Sequence, residues 1–546
     1  MNNTMKRSRI SQLALFFAAG LALASCAKEI TETPAAPEES VPEYTTITLT
    51  ATHPEMTEAG AAAQENGATA VVSTKTTLDE KGSVSWAIGD KLKLVCKDGL
   101  AFTTEALEEA DLKDGGNTAT FKATVPAGKA LKWAVYPSDI ATELTKDGKF
   151  SVTVPQVQDG NFEHASIEAG EIGEDNSIAL KNVCALLKFK VADANTNAAK
   201  VFIGGNGAPL NGKVNISTSI LEAPYASEDI PNYQPNVEVS VKGPGIYYAA
   251  ILPAKTTGLS MQIYSADNTL LAENISSNVL DAPRKTIKNL GELRSTPFKN
   301  KRFVTKDGAG DGQGLTWENA WSFQTLISKL QGTALTDHVI FITEGNIKPT
   351  TGTIALKDNT KFKIYGGYPT NLTGVTTTDR DINKHATAFV GKDRNGEKDN
   401  ARLFVYNGSA TETLFDGVGF NDTYQWVETT QYDMYAGTCL LIGASKNVYC
   451  VNCRFNNNYK VGNGIMRIGS TSNTSANATF ERCVFSNNTV TGEGLIRVYA
   501  NGKVTLKDCD FSEANTIPGG AICKATIPTD VTDGGGNKLS DDQKLK

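Results

Sequence analysis

The chain has 546 residues, 40% of them hydrophobic and 21% charged, which is enough apolar surface for about three or four domains and too little charge for general disorder. Its formal net charge of −7, without clustered runs of Lys and Arg, argues against an electrostatic nucleic-acid binder.

In chain order, Lys6, Arg7 and Arg9 precede an apolar run from Leu13 to Leu23, and Leu23-Ala24-Ser25-Cys26 places small residues just ahead of a cysteine. The run is too short for a membrane-spanning helix of ~20 residues. The pattern resembles a bacterial lipoprotein signal with its lipobox. That resemblance implies removal of residues 1–25, acylation of Cys26 and attachment to a membrane through the lipid. Residues 26–43 are rich in Pro, Ala and Glu and are expected to form a flexible tether. Glu29 and Glu32, close behind Lys28, resemble export signals that send lipoproteins to the outer face of the outer membrane. The expected address is therefore the cell outer membrane, lipid-anchored and surface-exposed.

From Tyr44 to about Leu293 the pattern is all-β. Alternating runs such as "TTITLTAT", "KLKLVC", "SVTVP" and "LLKFKV" are separated by Gly, Pro, Asn and Asp, as in strands that pack into β-sandwiches. The stretch from Lys75 to Cys96, "KTTLDEKGSVSWAIGDKLKLVC", is followed by "WAVYPSD", "VTVPQVQDG", "NVCALLKFKV" and "YYAAILPAK". Together these resemble the fimbrillin family of lipoprotein pilins. The resemblance implies two transthyretin-like β-sandwiches, at 44–179 and 180–295, and pilus subunits as partners. Many fimbrillins mature by cleavage after an Arg that follows the lipidated Cys, which frees a groove for the next subunit's strand. No Arg stands between Arg9 and Arg284. A minor, terminal or stand-alone role therefore fits better than a shaft subunit.

The third region opens with "RFVTKDGAGDGQGLTWENAWSFQTLISKLQG". Thr316 is a predicted N-cap for a helix from Trp317 to Leu330, with Ala320, Phe323, Leu326, Ile327 and Leu330 on one face. Four segments then repeat one another, "DGVGFNDT" at Asp416, "VNCRFNNN" at Val451, "ERCVFSNN" at Glu481 and "KDCDFSEA" at Lys507. Val418, Cys453, Cys483 and Cys509 share a column, and Phe420, Phe455, Phe485 and Phe511 lie two places on, facing the same way. A second column begins at Gly437, Gly464, Gly494 and Gly520. One such repeat cannot bury its own apolar face, but stacked repeats can. The expectation is a right-handed parallel β-helix over 301–530, its first coil covered by the helix, followed by a polar tail at 531–546. The Phe-x-x-Asn pairs, Phe455 to Asn458 and Phe485 to Asn488, with Gly-Gly-Ala-Ile at Gly519 to Ile522, resemble the repeats of polymorphic outer-membrane proteins and related adhesins. Ala514 stands where the next Asn would, so the Asn ladder is expected to stop there. The last strand, Ala521 to Ala525, is expected to be poorly covered.

The cysteine column reads as small core residues, and Cys450 with Cys453 lacks the second ligand pair of a zinc site. His53, His164, His338 and His385 are scattered, so no nucleophile system, metal site or cofactor site is proposed and no catalytic residue is named. A β-helical lyase or hydrolase would mass carboxylates on one outer face. The outward positions carry Asn452, Arg482 and Asp508 on one side and Arg454, Val484 and Asp510 on the other, with Asp508 and Asp510 as the one local pair. Binding has two candidates. The insertion "NDTYQWVETTQYDMYAG" holds Tyr424, Trp426, Tyr432 and Tyr435 beside Gln425, Gln431 and Asp433, a set suited to sugars or to protein contacts and equally able to cover the coil's side. Arg467 and Arg497 occupy matching outward positions one coil apart, near Glu493. The reading that results is a surface lipoprotein for adhesion or for binding a glycan, host protein or partner surface protein. The alternative is a surface glycan-processing enzyme.

Overall fold

The computed structural model describes residues 43–60, 77–78, 84–145, 148–294, 296–332, 334–349, 353–391, 402–406, 412–425, 437–443, 445–470 and 475–546. The signal segment, Cys26 and the tether up to residue 42 lie outside these residues, as do Trp426, Gln431, Tyr432, Asp433 and Tyr435. The protein is all-β, and among the described residues the α-helices are Phe162–Ala165 and Phe323–Gly332. None of the described helices is long and apolar enough to cross a membrane.

Period-two alternation builds the first sheets. In Tyr44–Thr52, Leu49 and Ala51 are buried while Thr48 and Thr50 are exposed, and the strand pairs antiparallel with Thr118–Pro126 along its whole length. These strands belong to a four-stranded sheet facing a five-stranded one that contains Lys93–Cys96, Leu131–Tyr136 and Glu168–Glu171. Leu49, Phe121, Trp86, Leu94 and Tyr136 fill the space between. The five-stranded sheet is apolar on its other face too, where Val95, Trp133 and Val135 pack with Phe150, Val214, Leu186 and Ile287. Two further sheets, centred on Ala198–Gly204 and on Ala185–Val191, enclose Leu187, Phe189, Val201 and Ile263. Segments from early in the chain join these later sheets. Thr57–Gly60 pairs with Thr286–Leu293, and Phe150–Val154 pairs with Asn211–Ile216. Interleaved pairing and a shared apolar layer thus tie the amino-terminal region together across residue 180.

From residue 301 onward all the long-range pairing among named strands is parallel. A nine-stranded sheet, here the first face, runs through Lys301–Thr305, His338–Thr343, Lys361–Tyr368, Glu412–Asp416, Ser445–Val451, Ala476–Glu481, Gly502–Lys507 and Val531–Asp533, with Trp321–Ser322 at its edge. Two six-stranded sheets run beside it. The second face includes Val418–Asn421, Arg454–Asn456 and Val484–Ser486, and the third includes Leu440–Ile442, Met466–Ile468 and Ile496–Val498. The chain visits the three faces in turn, so each circuit lies against the previous one. Phe420, Phe455, Phe485 and Phe511 stack inside at centroid spacings of 5.1, 4.8 and 4.5 Å. The corner between first and second faces is turned by one residue with positive φ: Gly417, Asn452, Arg482 and Asp508. Beside it Cys453, Cys483 and Cys509 are fully buried, Cys483 donating to the Cys450 carbonyl at 3.2 Å and Cys509 to the Phe480 carbonyl at 3.4 Å.

Three sequence expectations change. The helix starts at Phe323, not Trp317: Trp317–Asn319 is a 3₁₀ turn, and Trp321–Ser322 is drawn into the first face by pairing with Val304 and Thr305. The Ser322 hydroxyl, rather than Thr316, then accepts the Thr325 amide at 3.0 Å. Phe323, Leu326, Ile327 and Leu330 are buried as the spacing predicts, against Ile340 and Ile354. The Asn ladder also continues past Phe511. A register shift after Val484–Asp510, with Ala514 at φ 31, moves Asn515 into line, where its Oδ1 accepts the Asn488 amide at 3.1 Å and the Asn488 side chain at 3.0 Å. Finally, residues 531–546 make a further circuit instead of a loose tail. Val531–Asp533 pairs with Val504–Leu506, the Phe511 amide donates to Lys538 at 2.9 Å, the Ile522 amide donates to Lys544 at 2.8 Å, and Leu539 and Leu545 pack against the core. Backbone pairing does not require an apolar face, which is why the polar composition misled.

The two regions meet through an excursion between Lys361–Tyr368 and Thr387–Val390. At its centre Arg380 is fully buried, donating from Nε to the Gly366 carbonyl at 2.6 Å and pairing with the Asp416 carboxylate at 2.8 Å. Gly417 lies beneath, where a Cβ would collide with Ile382 and Arg380. On the other side, Asn236 donates to Asp379 at 2.6 Å, Gln262 to Thr377 at 2.7 Å, and the Ile382 amide to Asn206 at 3.2 Å.

Candidate functional site

The aromatic insertion begins in the described structure as Tyr424–Gln425, which pairs with Tyr459–Lys460 and through it with Thr489–Val490. Alternation sends Gln425, Lys460 and Val490 inward, all buried, and leaves Tyr424 and Tyr459 half-buried on the outside. Their rings stack at 4.9 Å with 17° between planes. Tyr459 was not singled out in the sequence, although it holds the same place after Phe455 that Tyr424 holds after Phe420. Trp426, Tyr432 and Tyr435 lie outside the described residues, so the outward stack is the described part of this candidate.

Arg467 and Arg497 are directly paired on the third face, as their column predicts. Both guanidinium groups lie over the Tyr499 ring, at 4.5 and 4.6 Å from its centroid, and Arg497 donates to the Lys524 carbonyl at 2.9 Å. A ring face and carbonyl dipoles thus accommodate two like charges. Glu493 does not join them; it pairs with Lys524. Tyr499 was overlooked because it lies beyond the strand repeat that defined the columns.

The remaining polar candidates are dispersed. Asp508 turns a corner, while Asp510 accepts from the Ser512 amide at 3.0 Å and hydroxyl at 2.6 Å; burial pushes the Asp510 carboxyl up, and those hydrogen bonds outweigh it to hold it low. His53 meets Glu168 at 2.7 Å, His164 meets Asp159 at 2.5 Å, His385 meets Glu344 at 3.2 Å, and His338 meets the Thr336 carbonyl at 3.0 Å. Among the described residues no three metal-ligating side chains converge. Burial pushes the Cys439 and Cys523 thiols up to about 12, which disfavours their thiolates.

Among the described residues, two of the cavities formed where distant segments meet involve the parallel region. One of 540 Å³ lies on the outer first face, where Val339, Lys363, Leu414, Tyr449 and Thr479 form successive rungs. The other, of 480 Å³, lies between the regions, with Lys255 on one wall and Arg454 and Arg482 on the other. Neither was visible in the repeats, because each joins residues far apart in sequence.

No family model and no curated protein matches the chain. Among solved structures, a candidate cell adhesion protein from Bacteroides ovatus is 11% identical, with 39% of this chain and 88% of that one covered, at a TM-score of 0.24. A candidate cell adhesion protein from Bacteroides fragilis is 11% identical, with 45% and 92% covered, also at 0.24. A minor pilin from Streptococcus agalactiae is 12% identical, with 46% and 98% covered, at 0.12. At these scores the likenesses assign neither fold nor function.

Proposed function

We propose that the protein is a surface lipoprotein of the outer membrane, acylated at Cys26, in which two fimbrillin-like β-sandwiches carry a right-handed parallel β-helix that binds a glycan or a partner surface protein. In this reading residues 44–179 and 180–295 are the sandwiches, with Thr57–Gly60 and Phe150–Val154 joining the later sheets, residues 301–530 and the closing circuit at 531–546 are the β-helix, and the protein works in adhesion as a minor or tip component of a pilus or alone. The observation that carries the binding role is the outward Tyr424–Tyr459 stack, which leads directly into the segment holding Trp426, Tyr432 and Tyr435. Rigid rings displayed from paired strands offer apolar faces at little entropic cost to the protein. The joined regions support the reading too, since hydrogen bonds such as Asn236 with Asp379 and Gln262 with Thr377 hold the parallel region on the amino-terminal one.

A glycan and surface-protein binding array with the full chain tests this reading. Trp426→Ala is expected to weaken the binding found there by about 1–3 kcal/mol with little change in melting temperature, as for an exposed hot spot. A large loss of melting temperature with unchanged binding would show that these rings only wall the coil.

A further inference from the structure

The junction between the two regions contains a cleft. Residues 206–209 and 253–257 form one wall, and residues 382–383, 452–454, 482 and 484 form the other, around 480 Å³. That size falls within the ~300–1,000 Å³ of small-molecule sites. The floor is held by its own hydrogen bonds. The Asn206 side chain donates to the Thr257 carbonyl at 2.8 Å and accepts the Ile382 amide at 3.2 Å. Asn452 Oδ1 accepts from the Thr257 hydroxyl at 2.9 Å and from Arg482 Nε at 3.1 Å. Two of these four bonds cross the junction, so the cleft is set by docking of the regions.

Its charge departs from that of the chain. Lys255, Arg454 and Arg482 line it and no Asp or Glu does, although the whole chain carries a net −7; Lys255 pairs with Asp281 at 3.6 Å and Arg482 with Glu481 behind the walls, which leaves Arg454 as the cation without a carboxylate partner among the described residues. Arg482 turns a corner at φ 53, where the adjacent circuits use Asn452 and Asp508, residue types that adopt this conformation more readily. Its guanidinium is fixed by Asn452, Glu481 and the Ser277 carbonyl. Arg454 is different. It is exposed, and among the described residues its guanidinium makes a single hydrogen bond, to Asn383 at 3.1 Å, leaving donors for a ligand. Pro209, Pro253, Ile382 and Val484 add apolar faces, and no aromatic residue lines the cleft. Apolar walls exceed what a bare inorganic anion needs, and the lack of rings disfavours stacked nucleobases.

We propose that this cleft binds one anionic sugar residue, carrying a carboxylate or a sulfate, of a glycan ligand. Arg454 holds the anionic group with two parallel N–H bonds, Lys255 contributes a point charge from the opposite wall, and Asn383 and Thr256 serve the hydroxyls. The inference rests on the ligand-binding reading above and names the ligand class and a second contact point.

Calorimetric titration of the full chain with a galacturonic acid trisaccharide, a sulfated disaccharide, the neutral galactose trisaccharide and sodium sulfate tests it. Binding of at least one anionic sugar is expected, at least tenfold tighter than the neutral one, and which of the two binds distinguishes carboxylate from sulfate. Arg454→Ala should weaken that binding at least tenfold at unchanged melting temperature, Lys255→Ala less so, and Arg454→Lys should recover part of it. Several results would overturn the proposal: neither anionic sugar binds, the neutral sugar binds equally, sulfate alone binds as tightly as the sugars, or Arg454→Ala leaves affinity unchanged. Loss of array binding in Trp426→Ala together with unchanged binding in Arg454→Ala would remove the cleft and leave the ligand-binding reading intact.

Discussion

The amino-terminal region and the parallel region both hide apolar side chains at every second position, yet they spend that pattern differently. In the amino-terminal sheets a ring meets unlike neighbours: Phe189 lies 6.1 Å from Tyr247, and Trp133 stacks on Phe150 at 5.1 Å. In the parallel region a residue meets its own counterpart one circuit away, so Phe485 stacks on Phe455 and on Phe511. The first arrangement spreads packing over many chemical partners. The second concentrates it in columns, where each rung supports two others.

The largest way to break this comparison is to loosen the excursion through which the parallel region meets the amino-terminal one. Arg380→Ala leaves the buried Asp416 carboxylate without its cation, and a loss of about 3–5 kcal/mol is expected. Chemical denaturation followed by calorimetry should show it, with the two regions melting apart. A double variant, Arg380→Met with Asp416→Leu, removes both charges and should cost far less. Equal losses in the single and double variants would show that the stranded Asp416 charge is not what destabilises the single variant.

A smaller change sharpens the contrast between columns and mixed packing. Phe485→Leu removes two ring stacks and an edge contact with Phe480, worth ~0.5–1.5 kcal/mol each, so about 1.5–4.5 kcal/mol of stability should go. Phe189→Leu loses one ring contact and should cost roughly a third as much by the same reasoning. Urea unfolding of the two variants compares them directly. Equal costs would mean that stacking like upon like adds nothing beyond burial.

The smallest effect concerns a surface pair of the amino-terminal region. Hydrogen bonding to Asp159 raises the His164 pKa above its usual 6.5; burial acts to raise the Asp159 carboxyl, but its hydrogen bonds to His164 and Asn161 hold it down at about 2. The His164 contribution is therefore complete below the unfolded value near 6.5 and disappears as pH rises through the higher folded value. The Asp159 contribution is present above its usual 3.8 and disappears as pH falls towards about 2. Both side chains are more than a third exposed, so solvent screens the pair. Titration of the His164 imidazole by NMR should give a midpoint above 6.5 that falls with added salt, and a midpoint at or below 6.5 would remove the pair from the account.

How much of this could be read in advance depends on the range of the interaction. The Cys and Phe columns were legible because parallel pairing of successive circuits turns a sequence repeat of 35, 30 or 26 residues into a spatial one. The buried face of Phe323, Leu326, Ile327 and Leu330 was legible for a similar reason, since 3.6-residue periodicity is local. The start of that helix was not, because a tertiary pairing of Trp321 with Val304 competed with the helix for the same residues. Nor was Asn515, which reaches its rung only through a bulge whose place depends on the neighbouring strand.

By itself, then, the sequence determined the all-β class, the columns and the helix face, because each follows from side-chain periodicity within a few dozen residues. Only the tertiary structure decided the Tyr424–Tyr459 stack's outward display, the sharing of Tyr499 by two arginines, the closing circuit at 531–546 and the cleft between the regions. These depend on contacts such as Asn236 with Asp379 and Thr257 with Asn452, formed by polar groups 143 and 195 residues apart. A hydrogen bond of that kind needs one donor and one acceptor in the right place, and two isolated polar residues leave no period in the sequence to announce that they will meet.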